Sequence, residues 1–385
     1  MRLLPLLLPF LATAVSATRF FIGAYSGQIL SANLDDTTGA ITLLSSTPAS
    51  SPSPSWQELS PVDPQLLFTV EERAHSDDSK GAVSAYLIGS DGALTKLSTA
   101  LGLLGPVSLG VSPDGKTIFT ANYGASGVSA YCTDDGTGAL QHLQDWTFEL
   151  SSPGAVPSRQ DAPHPHQALF DATGQFVVVP DLGADLLRIF SVDGKTFSQL
   201  SPVVVPPGTG PRHGAWFPPT GIPLFYYLVG ELSNTVTVFA VSYPSSGGLK
   251  LTQIQRESTL PLGSTTTTSA APNSTPSAAE IAITPGGRYV YVSNRNDKVF
   301  PDGHSVAIYS RQATTGLLTS IGWADSGEQT LRHIALDPSG RFLLVEGQDS
   351  NEIAVLPVDA TTGKLGAAVG KFAVPGGPVC VTFEK

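Results

Sequence analysis

Charge is scarce in this chain. Only 14% of the residues are Asp, Glu, Lys or Arg, and the acids outnumber the bases by 32 to 21. That balance argues against nucleic acid and anionic membranes as partners, because both reward clustered Lys and Arg. A single Met among 385 residues, with few Lys or Glu, argues against a helix-rich fold. Nucleotide fingerprints, phosphate loops and CxxC pairs are absent, and no Gly-x-Ser-x-Gly elbow presents a nucleophilic serine. The only cysteines are Cys132 and Cys380. They fall in different repeats, and a bridge needs Cα atoms within about 7 Å. Two unpaired, mostly buried thiols are expected.

What is abundant is punctuation. Gly (39) and Pro (31) recur among Ser, Thr and short β-branched runs, the composition of many short strands joined by tight turns. The N-terminus differs from the rest. Arg2 precedes an apolar core over residues 3–14, and Val15, Ser16 and Ala17 are small residues suited to cleavage. This predicts a signal peptide over residues 1–17 and a secreted protein. It is too short for a transmembrane helix, which takes about 20 apolar residues. Asn273-Ser274-Thr275 is a glycosylation sequon within a Ser/Thr-rich stretch, 258–277, expected to be a surface insertion carrying an N-glycan at Asn273.

Internal repeats decide the fold. A turn ending in Gly precedes an alternating strand at Thr38-Gly39, Asp91-Gly92, Thr137-Gly138, Asp193-Gly194, Ser246-Gly247, Thr315-Gly316 and Thr362-Gly363. Pro113-Asp114-Gly115, Thr173-Gly174, Pro285-Gly286-Gly287 and Pro338-Ser339-Gly340 each lead into a second, more apolar run. Each unit reads as four antiparallel strands, here called a to d from the inside out. Strand a is expected to start near Trp56, Val107, His166, Arg212, Ala279, Arg332 and Val379. The N-terminal unit lacks strand a, and the C-terminus supplies one with nothing after it. The fold class is therefore all-β: a seven-bladed β-propeller over residues 18–385, its ring closed by the C-terminal strand.

In such a ring the starts of strands a and the ends of strands b share one rim. Those positions are polar. Strand a starts carry Gln57, Glu58, His164, His166, Arg212, His213, Glu280, Arg332 and His333. Strand b ends carry Glu71, Glu72, Asn122, Asp181, Glu231, Asn294, Arg295 and Gln348. Arg212 and Arg295 suit bidentate capture of a carboxylate or phosphate, or cross-blade ion pairs. Glu231 is either an acid or base, or the residue that orients those arginines. His164 and His166 share a strand face and suit proton transfer near neutral pH. His213 and His333 follow arginines and are expected on the opposite strand face, as packing groups. Glu58, Asn122, Asp181 and Glu231 are the alternative, a set of oxygen ligands for a divalent ion.

His164-Pro165-His166, Pro180-Asp181-Leu182-Gly183, Gly210-Pro211-Arg212-His213 and Ser293-Asn294-Arg295 resemble signatures of the seven-bladed propeller lactonase family. That family includes bacterial-type 6-phosphogluconolactonases and fungal carboxy-cis,cis-muconate cyclases. The likeness runs from about Thr18 to Glu384. It implies His164, Arg212, Glu231 and Arg295 as catalytic residues. His166, Arg332, Asp181 and Asn294 are expected as accompanying substrate contacts. Leu331 before Arg332 stands where the family usually has Pro, and Glu346-Gly347-Gln348 replaces a more usual Asn-Gln ending. The expected activity is metal-independent hydrolysis of a small anionic lactone, with a muconate-type cycloisomerase and a non-catalytic binding propeller as alternatives.

Overall fold

The computed structural model describes residues 16–74, 77–134, 136–245, 247–261, 264 and 275–384. Most of the expected signal peptide and the sequon residues Asn273 and Ser274 lie outside the described residues.

The chain forms seven antiparallel sheets, each the blade of a propeller. Strands a are Pro378–Phe383, Trp56–Leu59, Pro106–Val111, Leu169–Phe170, Pro211–Phe217, Ser277–Ile283 and Leu331–Leu336, in blades 1 to 7. Blade 1 joins both ends of the chain: Pro378–Phe383 pairs with Ala17–Ala24, which continues through Gln28–Asp35 to Ile41–Pro48. The expected starts agree with these strands in six blades. Blade 4 is the exception. Pro165 makes only an isolated bridge to Asp181 before the two-residue strand Leu169–Phe170. Pro163 and Pro165 have no N–H to give to a ladder, so the strand expected from His166 is interrupted.

Burial explains the two kinds of apolar run. Strands b such as Leu66–Glu71, Phe176–Asp181 and Phe225–Gly230 are buried throughout, because blades stack on both of their faces. Strands d such as Ile41–Pro48 are largely exposed. Seven apolar clusters fill the seven gaps between neighbouring blades. Phe20, Leu344 and Val355 belong to the cluster that joins the last blade to the first.

The recurrent Thr-Gly turn is part of this stacking. Gly316 and Gly363 have φ of 71° and 72°, in the left-handed region. A Cβ at either would strike the ring of Phe225 or Tyr289 in the preceding blade. Tyr227 and Tyr291 donate hydrogen bonds of 2.8 and 2.9 Å to the carbonyls of Gly316 and Gly363. Each turn is thus seated on its neighbour, and only glycine meets both demands. Cys132 and Cys380 are free and buried, as the blade positions imply.

Candidate active site

The register brings the expected positions together. Pro211 pairs with Gly230 and Ser277 with Arg295, so strand a starts lie opposite strand b ends. Arg212 and Glu231 follow directly on the first pair. Five strands a carry a bulge at this end, with register shifts between Pro106 and Ser108, Pro211 and Gly214, Ala278 and Ile281, Leu331 and His333, and Pro378 and Cys380. A bulge re-aims side chains that alternation would send to opposite faces. Arg212 and His213 therefore both line a narrow pocket among the innermost strands, together with His166, Arg332 and Trp56.

Glu231 is the hub. Its Oε1 accepts a 2.6 Å bond from Arg159 Nη2, and its Oε2 lies 2.9 Å from Arg295 Nη2 and 3.1 Å from Arg212 Nε. The carboxylate is buried. Burial alone would push its pKa up, but Arg295, Arg159 and Arg212 overcome that and hold it down to about 2. Arg212 also donates to the Ala279 carbonyl at 2.7 Å. Burial, then the charge of Arg295, brings its guanidinium down to about 9, so it stays charged at neutral pH.

His164 stacks flat on Tyr123, with centroids 4.1 Å apart and planes at 11°. Its Nδ1 lies 3.1 Å from the Tyr123 carbonyl, which can only accept, so Nδ1 carries the hydrogen. Nε2 lies 3.2 Å from Asp161 Oδ1. His166 sits deeper, its Nδ1 3.1 Å from His213 Nε2. Burial, followed by the charges of Arg212 and His213, keeps its pKa well below the ordinary imidazole value. Arg332 places its guanidinium carbon 5.6 Å from the centre of the Tyr25 ring, and Tyr25 in turn donates to Glu72 at 3.0 Å.

His164, His166, Arg212, Glu231, Arg295 and Arg332 thus form one cluster. Asp181 and Asn294 are fully buried, and their side chains are engaged in internal bonds. Asp181 accepts from the backbone N–H of His164 at 2.7 Å and from Arg188 Nε at 2.8 Å. Asn294 donates to the Thr259 carbonyl at 2.7 Å and to Ser305 at 2.9 Å. Both brace the rim from behind. The expectation of mere packing for His213 and His333 is corrected. His213 bonds Glu280 at 2.6 Å and His333 bonds Glu346 at 2.8 Å, and the bulges are the reason.

The oxygen ligands considered for a divalent ion do not fit one. Glu231 is held by three guanidiniums, Asp181 by Arg188, and Glu58 accepts the Val111 N–H at 3.0 Å. The Asn122 side chain bonds Ser129 and Thr120. Among the described residues no group of three or more His, Cys, Asp or Glu is arranged for a metal.

Arg159, Tyr25 and Tyr123 escaped the sequence reading. Tyr25 and Tyr123 each follow a strand b end, so the rule that found Glu231 applies to them. Arg159 comes from the loop before His164, where no periodicity operates. That loop is fixed by Gln160, whose side chain accepts from the Val156 N–H and donates to the Leu182 carbonyl, both at 2.9 Å.

Residues 19–383 match the family described as "Lactonase, 7-bladed beta-propeller". A protein of Arthroderma benhamiae named "Probable 6-phosphogluconolactonase" is 44% identical over 94% of this chain and 88% of its own length. The 6-phosphogluconolactonase of Bacillus subtilis is 32% identical over 83% of this chain and 84% of its own. The structure of Pseudomonas aeruginosa periplasmic gluconolactonase matches with a TM-score of 0.82 and 26% identity, over 96% of this chain and 99% of that one. The chain belongs to the seven-bladed β-propeller lactonase family.

Proposed function

We propose that this protein is a lactonase that hydrolyses a small anionic lactone at the mouth of the propeller channel, without a metal ion. The observation that carries the reading is the cluster of Arg159, Arg212 and Arg295 on the single buried carboxylate of Glu231. Three cations on one anion leave a positive site, which Arg332 extends. A carboxylate or phosphate of the substrate supplies the missing negative charge, and a guanidinium accepts the charge that develops on the lactone oxygen. Glu231 holds the arginines in place; an ionised carboxyl held that low is a weak base. The proton of the attacking water goes to an imidazole of the His164–His166 pair. The names of the relatives suggest sugar-acid lactones, 6-phosphogluconolactone and gluconolactone among them. The leader over residues 1–17 supports export, and cleavage after Ala17 leaves strand Ala17–Ala24 almost whole.

The test is acid release by pH-stat from a panel of 6-phosphogluconolactone, gluconolactone and carboxymuconolactone, with a chelator control. Chelator-resistant release that disappears in Arg212→Ala is the expected result. Release from no member of the panel refutes the reading. A product of unchanged mass from a muconate diacid replaces hydrolysis with cycloisomerisation.

A further inference from the structure

A line of buried groups runs inward from the pocket. Glu280 Oε2 lies 2.6 Å from His213 Nδ1, and His213 Nε2 lies 3.1 Å from His166 Nδ1. On the far side of Glu280, His333 Nε2 is 3.8 Å away, and His333 Nδ1 is 2.8 Å from Glu346. All five side chains are buried. Three of them sit at or beside the bulges of strands a, so the backbone is shaped to bring them together.

The hydrogens in this line are determined by its carboxylate end. Glu280 stays ionised: burial would raise it, but His213 and then His333 bring it down to about 2. An ionised carboxylate only accepts, so His213 Nδ1 must donate. His213 is neutral at working pH, since burial draws it down to about 4 against the upward pull of Glu280. Its Nε2 is then a lone pair, and His166 Nδ1 must donate to it. The last nitrogen, His166 Nε2, is left without a hydrogen. The hydrogen bond of the ring to His213 runs through Nδ1, and His166 lines the pocket with Arg212 and Arg332.

We infer that His166 is the general base of the reaction, and that His213 and Glu280 are positioning residues that fix its tautomer through this relay. The inference rests on the lactonase reading for its reaction. Water attacks the lactone carbonyl carbon, and its proton passes to His166 Nε2. The alkoxide formed faces the guanidinium of Arg212. The ring C–O bond then breaks, and the imidazolium returns the proton to the departing alkoxide. A hydroxy acid is released and His166 is again neutral. His164 has no such relay: its Nε2 faces Asp161 at 3.2 Å, at the exposed edge of the site.

Two measurements on the full mature chain test this. Selective 15N labelling of histidine reads the tautomers without any substrate, with His166→Gln and His213→Gln used to assign the signals. The expected state is Nδ1–H on both His166 and His213. An Nε2–H tautomer at His166 overturns the proposal whatever the lactone panel gives. In turnover, His166→Gln is expected to lower kcat/KM by about 10²–10⁴-fold. Glu280→Gln is expected to lower kcat by at least about 10-fold, toward the roughly 10⁴-fold cost of a wrong tautomer, with KM little changed. It should also return a mixed His213 tautomer by 15N. Glu280→Asp is expected to recover part of the loss. Near-wild-type kcat in a folded His166→Gln protein, or in Glu280→Gln with an altered tautomer, overturns the base assignment. Correct tautomers in a wild-type protein that hydrolyses no lactone refute the proposed function and the base with it, while the tautomer assignment stands.

Discussion

Arg159 Nη2 and Glu231 Oε1 are 2.6 Å apart, one side chain 34% exposed and the other 1%. The pair ties the loop before His164 to the centre of the charge cluster, and Arg159 is its most accessible cation. An incoming anion reaches Arg159 first. Arg159→Ala is therefore expected to raise KM by about 10-fold while kcat falls less, the pattern of a contact made equally in ground and transition state. A fall in kcat equal to the fall in kcat/KM contradicts this placement. Arg212→Ala should behave in the opposite way, with kcat down by about 10²–10³-fold if it stabilises the oxyanion.

Glu231 serves stability as well as the site. Glu231→Gln leaves the buried Arg212 and the half-buried Arg295 without the carboxylate they share, and breaking a buried ion pair this way costs about 3–5 kcal/mol. Inorganic phosphate should stabilise this variant more than wild type, because the anion replaces the lost carboxylate. Thermal melts with and without phosphate check both expectations. An equal phosphate shift in the two proteins means that the arginines do not face the anion site.

The acid side of the stability curve follows from the same carboxylate. Its pKa lies at about 2 in the folded protein, against an ordinary value of 4.5. A carboxyl depressed on folding adds stability that is complete above its unfolded pKa and is lost as pH falls toward the folded one. The gap in Tm between wild type and Glu231→Gln should hold from neutral pH down to about pH 5, then narrow toward pH 2. A gap that stays constant over that window excludes ionisation of Glu231 as its source.

The ring was legible because its devices are local. Turn glycines such as Gly316 and Gly363 and fully apolar strands b such as Phe225–Gly230 repeat in the chain itself. The complementary ends, Ala17–Ala24 and Pro378–Phe383, then define closure. The rim was legible as a set of polar positions, but the partners were not. Alternation puts Arg212 and His213 on opposite faces, whereas the bulge between Pro211 and Gly214 brings both to the pocket. A bulge has no reliable mark in a single sequence, so the His166–His213–Glu280 relay was hidden. Arg159 was hidden because an irregular loop carries no periodicity. The internal roles of Asp181 and Asn294 depend on Arg188 and Thr259, which lie on neighbouring strands and loops.

Closure by the last strand has a direct consequence for folding. Val379, Cys380 and Val381 are buried, and Thr382 donates to the Gln57 carbonyl at 2.8 Å, linking blade 1 to blade 2. Removing residues 378–385 uncovers the edge of Ala17–Ala24 and opens the ring. The expected loss is more than about 5 kcal/mol, on the scale of a domain's whole stability. It should appear as aggregation or loss of a cooperative melt. A truncated chain that melts like wild type places closure elsewhere.

The pH dependence of turnover carries the last prediction. His166 must be neutral to accept a proton, so activity falls on the acid side as it becomes protonated. In the free enzyme burial holds its pKa down first, and Arg212, His213, Arg332 and Arg295 hold it lower still. A bound carboxylate or phosphate neutralises those guanidiniums and removes part of the repulsion, while burial does not relax. His166 is therefore more basic in the substrate complex than in the free enzyme. The acid limb of kcat, which reports the complex, should lie at higher pH than the acid limb of kcat/KM, which reports the free enzyme. The opposite order would mean that substrate desolvates His166 further without neutralising these arginines, and would contradict this placement. Coincident limbs would mean that the titrating group is remote from them, which excludes His166. Profiles for a charged lactone and a neutral one separate the two cases, because only the charged substrate should move the kcat limb.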